Sequence, residues 1–376
     1  MEGNAASEET ILVDQAVTWL GARLPANWKV ERSQRTIVSQ SGGPPTQVDA
    51  TIDLTGSNGV ATLAVEARRS LNPRDVERLL PGLGRTIRAL AGYISILVVA
   101  PWLSPRTQEL LAAEGINFID LTGNALIRLD TPALYIQTTG STRNPSPSET
   151  GEARVRGPKA GRLIRLLADV SPPYGVRDIA SAAGLAPGYV SRLLETLDRQ
   201  ALVERSRRGQ VESVDYGGLV RRWAEWYDVL KSNDARTFLA RLGAPALMAE
   251  LAEATQGLQV AVTGSFAAVR LAPVAAPALV ALYCEDPRTV SERLGLMPAD
   301  EGANVVLLRP FDRVVWDRTS DEEGVRYVAP SQVAVDCLTG TGRMPAEGEA
   351  VLTWMSEHED RWRWSSLSEL DGMGGR

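Results

Sequence analysis

The chain has 376 residues, of which 44% are hydrophobic, and its formal net charge is −6. A chain of this length is expected to form two or three domains, each large enough for its own hydrophobic core. No stretch of about 18 consecutive apolar residues is present and the first residues are acidic and polar, so neither a membrane span nor a signal peptide is expected, and the expected location is the cytoplasm.

Histidine and cysteine are rare, which bears on cofactors. One histidine, His358, and two cysteines, Cys284 and Cys337, are too few for a zinc site. Both cysteines lie in apolar stretches and are expected to be buried thiols. No metal site and no cofactor are therefore predicted.

Charge is distributed unevenly along the chain. Residues 152–242 carry 16 basic and 11 acidic side chains, a net charge of +5, whereas the net charge is −2 over residues 1–151 and −9 over residues 243–376. A basic middle between acidic ends indicates where a polyanion would bind. Double-stranded DNA is the partner expected for this middle segment.

Residues 1–139 have the hydrophobic pattern of an α/β domain, with helical and strand-like spacing in alternation. Helices are predicted at 11–24, from Pro73 onward and at 105–114, and strands at 28–30, 48–54, 60–67, 94–100, 117–121 and 125–129.

The element order α-β-β-β-α-β resembles the restriction-endonuclease-like fold of the PD-(D/E)xK nucleases. The resemblance implies two carboxylates that hold Mg²⁺ and a lysine that positions the attacking water. The matching positions are Asp53 or Asp49, then Glu66, and Arg68 where the motif has lysine. Because the guanidinium group of Arg68 stays protonated and is a planar fork, it is a poor substitute for lysine. The domain is expected to be inactive, with its arginines used for packing or for DNA contact.

Residues 140–157 are rich in proline and serine and are predicted to form a linker. The segment 158–217 then has the pattern of a winged helix-turn-helix, with three short apolar stripes at helical spacing followed by two strand-like runs. Gly184 is predicted to end the second helix, since glycine adopts a left-handed conformation at little cost. Such a module places its third helix in the major groove of DNA.

The outward positions of this module define a predicted DNA-binding surface. Val190, Leu193, Leu194 and Leu197 are predicted to face inward from the third helix, which leaves its other face for base edges and phosphates. The alternative interpretation is a structural three-helix module whose arginines only meet solvent. The predicted DNA-binding residues are Arg177, Gly188, Tyr189, Ser191, Arg192, Arg205, Arg207 and Arg208.

Residues 218–243 are predicted to form a connecting helix. Trp223, Trp226 and Tyr227 are spaced i, i+3, i+4, which predicts that they share one helix face. This face is expected to dock the winged helix onto the C-terminal region.

Residues 244–365 contain a predicted strand, the turn Gly264-Ser265 and a predicted helix, an order that resembles the nucleotidyltransferase-like fold. In that fold the turn holds a triphosphate at a helix N-terminus, and two carboxylates on the next strand bind metal ions. The candidate next strand, 278–284, contains no carboxylate. An inactive scaffold is predicted here, followed by a flexible tail at 366–376.

Similarity to a known family is spread over most of the chain. It rests on the winged helix and on residues 64–69, 118–125, 222–227, 262–265, 304–311 and 328–337. Together these segments resemble the AbiEi-type antitoxins of type IV toxin–antitoxin systems. The resemblance implies a transcriptional repressor that often controls its own promoter, and an antitoxin role where a nucleotidyltransferase toxin is encoded beside it. The N-terminal endonuclease-like domain is absent from the short antitoxins.

The sequence as a whole predicts an α/β multidomain protein that binds double-stranded DNA as a sequence-specific regulator. A homodimer is expected, because most helix-turn-helix operators are two-fold symmetric. One alternative is a Mg²⁺-dependent nuclease directed to DNA by the winged helix. The other is an interaction protein that neutralises a toxin enzyme.

Overall fold

The computed structural model describes residues 2–33, 49–76, 94–141, 145 and 155–371. The chain forms two compact units, Met1–Gly151 with Arg199–Ala201, and Glu152–Asp198 with Leu202–Arg376. Most of the predicted linker at 140–157 lies outside the described residues. Among the described residues, no helix is both long and apolar enough to cross a membrane.

The first unit is built on a mixed seven-stranded sheet whose strands lie side by side in chain order. The central pairs β3–β4 and β4–β5 are parallel, and the pairs towards both edges are antiparallel. Its elements are α1 (Glu2–Gly21), β1 (Lys29–Ser33), β2 (Ala50–Gly56), β3 (Gly59–Ala67), β4 (Ile94–Ala100), α2 (Pro105–Ala113), β5 (Asn117–Asp120), β6 (Ala125–Leu129) and β7 (Leu134–Thr138).

A separate hydrophobic core covers each face of this sheet. Side chains alternate between the two faces along a strand, so Leu97 and Val99 of β4 pack into the core that includes α1, whereas Ile96 and Val98 pack into the core that includes Leu111 of α2. The mixed α/β fold predicted for this region is confirmed. The helix predicted from Pro73 is described only as far as residue 76, and residues 77–93 lie outside the described part.

The second unit contains the winged helix, a second seven-stranded sheet in the order β13-β10-β14-β12-β11-β16-β15, and the helices around it. The winged helix consists of α3 (Gly157–Asp169), α4 (Val176–Ala183), α5 (Pro187–Arg199), β8 (Val203–Arg205) and β9 (Val211–Val214). The elements that follow are α6 (Tyr216–Ala224), β10 (Asp234–Leu239), α7 (Ala244–Ala254), β11 (Val260–Thr263), α8 (Gly264–Leu271), β12 (Val280–Cys284), α9 (Pro287–Arg293), β13 (Met297–Pro298), β14 (Val305–Arg309), a 3-10 helix (Arg313–Trp316), β15 (Ser320–Glu322), β16 (Val325–Tyr327), α10 (Pro330–Leu338), α11 (Met344–Glu357), α12 (Glu359–Trp362) and α13 (Ser368–Asp371).

One continuous hydrophobic core joins the winged helix to this second sheet. It runs from Leu163 and Leu197 of the winged helix to Leu282 of β12 and Val335 of α10. Seven consecutive residues of α10, from Ser331 to Cys337, are buried, so this helix is enclosed by the unit. The winged helix is therefore held by the C-terminal fold rather than attached to it by a flexible tether.

The segment 218–243 differs from the predicted connecting helix. Helix α6 ends at Ala224, and Asp234–Leu239 is strand β10 of the sheet. Trp226 consequently lies beyond the helix, where it is 38% exposed and stacks against the guanidinium group of Arg156, with 3.4 Å from Cζ to the ring centroid. The prediction that Trp223, Trp226 and Tyr227 share one helix face was wrong, because the helix ends at Ala224 and both Trp226 and Tyr227 lie beyond it.

The predicted tail at 366–376 is described only in part. Residues Ser368–Asp371 form the short helix α13, and residues 372–376 lie outside the described part. Both cysteines, Cys284 and Cys337, are buried as predicted.

Candidate nucleic-acid interface

The winged helix is assembled from one apolar face of each of its helices. Leu163 and Ile164 of α3, Ile179 of α4, and Val190 and Leu194 of α5 are completely buried. Burial of a side chain of this size stabilises the folded state by about 1.5–3 kcal/mol. The inward positions predicted for the third helix, including Leu193 and Leu197, are confirmed, so the opposite face of α5 is fixed as the outer one.

The turn between α4 and α5 depends on Gly184. This glycine has φ +61°, in the left-handed region, and its N–H donates to the carbonyl oxygens of Ala180 and Ser181. The next N–H, of Leu185, donates to Ala180 O at 2.8 Å. These bonds satisfy the last carbonyls of α4 and redirect the chain within a few residues. The prediction that Gly184 ends the second helix is confirmed.

Three of the four predicted contact residues on helix α5 lie on its outer side, and the fourth packs partly against the hydrophobic core. Gly188 and Arg192 are exposed and Ser191 is partly exposed. Tyr189 is half-buried, packs against the hydrophobic core, and burial raises the pKa of its phenol. Arg192 and Ser191 are therefore available for base edges, whereas Tyr189 has a packing role as well.

The wing is a short hairpin, β8 and β9, closed by the turn 206–210. Gly209 has φ +85°, and the N–H of Gly209 donates to Ser206 O at 2.9 Å. Arg205 folds back onto this turn, since its Nε donates to Gly209 O at 3.4 Å. Arg207 and Arg208 at the tip are exposed. The wing thus offers two guanidinium groups for phosphates and uses a third to shape itself.

Unpaired positive charge distinguishes this surface. In the part of the chain that the structure describes, the guanidinium groups of Arg177, Arg192, Arg207 and Arg208 have no hydrogen-bond or ion-pair partner. Arg177 is exposed in the first turn of α4, the helix that crosses the DNA backbone in this motif. Glu195 is also exposed on α5, so the surface is not uniformly basic and its arginines must act individually.

An ion pair that no sequence motif predicted fixes the winged helix to the C-terminal fold. Arg162 of α3 forms a two-pronged pair with Asp312, with Nε–Oδ1 3.2 Å and Nη2–Oδ2 2.7 Å. Its Nη1 also donates to the carbonyl of Ala183 at the end of α4, at 3.2 Å. One side chain therefore connects two helices of the winged helix to the segment before the 3-10 helix.

A buried charge cluster lies beside this pair. Asp169 is shared by Arg165, four residues earlier on α3, and by Arg318, and it also accepts from the hydroxyl of Ser331. Burial alone would raise the pKa of Asp169, but Arg318 and Arg165 lower it below its usual value. Arg165 Nη1 also donates a hydrogen bond to Gln332 Oε1 at 2.7 Å. The sequence contained one signal for this cluster, since Arg165 interrupts an apolar helix stripe and is spaced i, i+4 from Asp169.

The cluster extends into the centre of the C-terminal fold. Gln332 donates to Asp336 Oδ1 at 2.8 Å, which also accepts from the hydroxyls of Tyr227 at 2.8 Å and Tyr283 at 3.1 Å. The second oxygen, Oδ2, accepts from Thr263 Oγ1 at 2.6 Å. Burial raises the pKa of Asp336 to about 6.

The N-terminal carboxylates come together differently from the predicted nuclease set. Asp53 pairs in register with Thr62 and accepts its hydroxyl at 2.6 Å, four positions along β3 from Glu66. Asp49, instead, accepts the N–H of Ala67 at 2.8 Å and contributes to a raised pKa of Glu66, whose main cause is burial. Glu66 forms an ion pair with Arg68. The structure therefore selects Asp49 over Asp53 as the neighbour of Glu66, and within the described residues no three His, Cys, Asp or Glu side chains are grouped to hold a metal ion.

The Gly-Ser turn of the C-terminal region is closed by a carboxylate. Gly264 has φ +63°, and the buried hydroxyl of Ser265 donates to Glu347 Oε2 at 2.5 Å. Glu347 thus takes the position near the start of α8 where an anion would bind, and its charge opposes a phosphate. The following strand β12 contributes no carboxylate to this turn, and it runs antiparallel to β11.

A helix-turn-helix with a two-stranded wing and unpaired arginines on its outer side defines a DNA-binding domain of the winged-helix class. Residues 159–207, from α3 to the wing, match the family described as the IclR helix-turn-helix domain. No curated protein matches the chain. The chain therefore contains a DNA-binding domain of the kind that transcriptional regulators use, and DNA is its partner.

Proposed function

We propose that this protein is a sequence-specific transcriptional repressor that binds double-stranded DNA with α5 in the major groove and the wing on the adjoining backbone. The observation that carries the proposal is the set of guanidinium groups on Arg192, Arg207 and Arg208 that have no partner among the described residues. The pair between Arg162 and Asp312 fixes the winged helix, which presents them, to the C-terminal fold. Binding as a homodimer fits the two-fold symmetry of most operators of this class.

DNA binding by the purified chain tests the proposal, with the DNA upstream of its own coding sequence and an unrelated duplex of equal length as probes. Arg192→Ala is expected to cost about 1–3 kcal/mol on the upstream DNA and to reduce the preference for it, because a base contact is lost. The double variant Arg207→Ala, Arg208→Ala is expected to weaken binding to both duplexes by the same factor. It is also expected to reduce the dependence of the affinity on salt concentration, because phosphate contacts are lost.

Arg241→Ala is the matched control, since Arg241 is exposed after β10 and, among the described residues, has no ion-pair partner. Binding that is unchanged in the Arg192 and wing variants would remove this assignment of the contact residues. Absence of any binding by the unmodified chain would remove the proposed function itself.

Autoregulation and an antitoxin role are the finer parts of the proposal. They are supported by the segments that resemble the AbiEi-type antitoxins. Deletion of the gene is expected to raise transcription from its own promoter, as measured with a reporter. If an adjacent gene encodes a nucleotidyltransferase-like toxin, the two products are expected to purify together, and their failure to do so would leave a stand-alone repressor.

We also propose that the N-terminal unit is a restriction-endonuclease-like domain without nuclease activity. The ion pair between Glu66 and Arg68 supports this, because it engages a partly buried carboxylate of the predicted nuclease set with a side chain that cannot act as a lysine. Plasmid DNA incubated with the protein and Mg²⁺ or Mn²⁺ is expected to stay intact. Cleavage that disappears in Glu66→Ala would establish the nuclease alternative instead.

A further inference from the structure

A segment of the C-terminal fold is held against the helix-turn-helix at its turn. Asp312 accepts two bonds from Arg162 and also caps the 3-10 helix by accepting the N–H of Val314 at 3.0 Å. The guanidinium group of Arg165 also donates hydrogen bonds to the backbone carbonyl oxygens of Val314 at 3.4 Å and Asp317 at 3.2 Å. Four contacts from α3 thus fix the position of residues 312–317.

Arg313 lies at the outer end of this fixed segment, beside the turn that leads into α5. A Cβ at Gly184 would be 3.6 Å from Arg313 Nη2 and 3.7 Å from Arg162 Nη1. Both Gly184 and Arg313 are exposed, and within the described residues Arg313 has no hydrogen-bond or ion-pair partner. Helix α5 begins at Pro187, three residues beyond Gly184, and Ala186–Gly188 are exposed.

The charges around Arg313 leave its guanidinium group free for an external anion. The neighbouring carboxylate of Asp312 is already neutralised by Arg162. Asp317, on the same segment, is exposed, and its charge acts on Arg162 and Arg165. Of the arginines at the turn, Arg162 is therefore consumed by an internal pair and Arg313 is not.

We propose that Arg313, far from the helix-turn-helix in sequence, is a DNA phosphate contact that extends the interface across the turn between α4 and α5. The proposal rests on the proposed function, because it places Arg313 at the edge of the same DNA site. In this motif the start of the third helix approaches the DNA. A guanidinium group held beside that start adds charge to the same region of the backbone.

Salt-dependent DNA binding separates Arg313 from the rest of the interface. The probes are a fluorescent duplex of about 30 bp with arbitrary sequence and the DNA upstream of the coding region, both titrated over a range of salt concentrations. Arg313→Ala is expected to weaken binding to both duplexes by the same factor, about three- to tenfold, and to reduce the slope of log K against log salt by about 0.9. Arg313→Lys is expected to keep most of the slope, and Arg313→Glu to weaken binding further than Arg313→Ala.

Arg241→Ala is again the control and is expected to leave affinity and slope unchanged. Circular dichroism and the melting temperature of each variant show that the fold is kept, since Arg313 is exposed and unpaired. If Arg192→Ala weakens binding while Arg313→Ala leaves affinity and slope at their original values, the inference about Arg313 is wrong and the proposed function stands. If the unmodified chain binds neither duplex, the proposed function fails together with the inference.

Discussion

Gly184 holds the turn of the winged helix in a conformation that a side chain resists. Its φ of +61° lies in the left-handed region, where an L-residue with a Cβ costs about 1–2 kcal/mol. Gly184→Ala is therefore expected to lower the free energy of unfolding of the second unit by about 1 kcal/mol. Urea unfolding of the full chain, followed by circular dichroism, measures the change.

Gly188→Ala is the control for this prediction, because Gly188 lies in α5 and a Cβ there would meet only Arg192 Nη1, at 3.9 Å. Alanine at such a helical position is expected to stabilise the fold by about 0.5 kcal/mol. Equal effects of the two substitutions would mean that backbone conformation at Gly184 does not limit stability.

Asp336 gives the folded chain a pH dependence with a definite sign. Its pKa is raised from 3.8 to about 6 by burial, so the folded state holds the proton more tightly than the unfolded state. Protonation therefore favours folding, and this contribution to the free energy of unfolding decreases as the pH rises from about 4 to about 6. At about 1.4 kcal/mol per pKa unit, the full effect is on the order of 3 kcal/mol.

Asp336→Asn is expected to abolish this contribution while keeping the fold. The amide oxygen can accept from Tyr227 and Tyr283, and the amide N–H can donate to Thr263 once its hydroxyl rotates. Urea midpoints measured from acid to neutral pH are expected to fall with rising pH less steeply in the variant than in the unmodified chain. Asp360→Asn, at an exposed position, is the control; identical pH profiles for all three proteins would contradict the prediction.

At the scale of elements, the carboxylate of Asp169 joins α3 to Arg318 and to Ser331 of α10. Asp169 forms ion pairs with both Arg165 and Arg318. The side chains of all three residues are buried: Arg165 is 0% exposed, Asp169 2% and Arg318 7%. Asp169→Asn leaves two buried guanidinium groups without a counter-ion, which is expected to cost about 3–5 kcal/mol. Thermal and urea unfolding of the full chain measure the loss.

Arg165→Met is the informative comparison, since it leaves the pair between Asp169 and Arg318 in place and fills a similar volume. Loss of one partner of a buried ion pair is costly when it leaves the other charge uncompensated. In Arg165→Met the carboxylate of Asp169 keeps Arg318 as its counter-ion, so the substitution is expected to cost less. The expected order of destabilisation is therefore Asp169→Asn well above Arg165→Met. The reverse order would show that the Gln332 and backbone contacts of Arg165 matter more than the charge balance.

The elements themselves could be predicted where local pattern decides them. The apolar stripes of α3, α4 and α5 and the glycine at 184 are local signals, and the structure has them at those positions. Strand β7 was not predicted, because Leu134–Thr138 is a short edge strand whose residues are at most partly buried. Strand β10 was missed because six residues with a mixed pattern become a strand only through pairing with β14, about 70 residues later.

The residues of the DNA-binding site could be predicted from the sequence only where local pattern determines their position. Arg192, Arg207 and Arg208 follow from the outward positions of a helix and a hairpin, and the structure exposes them. The docking pair between Arg162 and Asp312 spans 150 positions, and the proximity of Arg313 to Gly184 is equally non-local. Neither has a periodicity or a motif, so only the folded arrangement brings them into view.

At the scale of the whole molecule, the winged helix is a part of the second unit and not an independent domain. Its core is continuous with that of the C-terminal sheet. Gly161 lies so close to Trp223 that a Cβ would be 3.1 Å from Trp223 Cζ2. After the last long helix, Trp364 returns to pair with Val170, and its N–H donates to Asp169 O at 2.9 Å. The fragment 152–376 therefore contains every described partner of these three contacts.

The fragment 152–217 loses those partners and is expected to fail to fold cooperatively. It would keep Arg165 and Asp169 but lose Arg318, Ser331 and Gln332, and uncompensated charge and polar groups would face a former core surface. The fragment 152–376 is expected to unfold in a single cooperative transition. The slope of log K for DNA binding against log salt is expected to be the same for this fragment as for the full chain. Melting curves and DNA titrations of both fragments measure this. If residues 152–217 alone melted cooperatively and bound DNA as tightly as residues 152–376, the C-terminal fold would be dispensable for holding the winged helix, and its buried ion cluster would need another purpose.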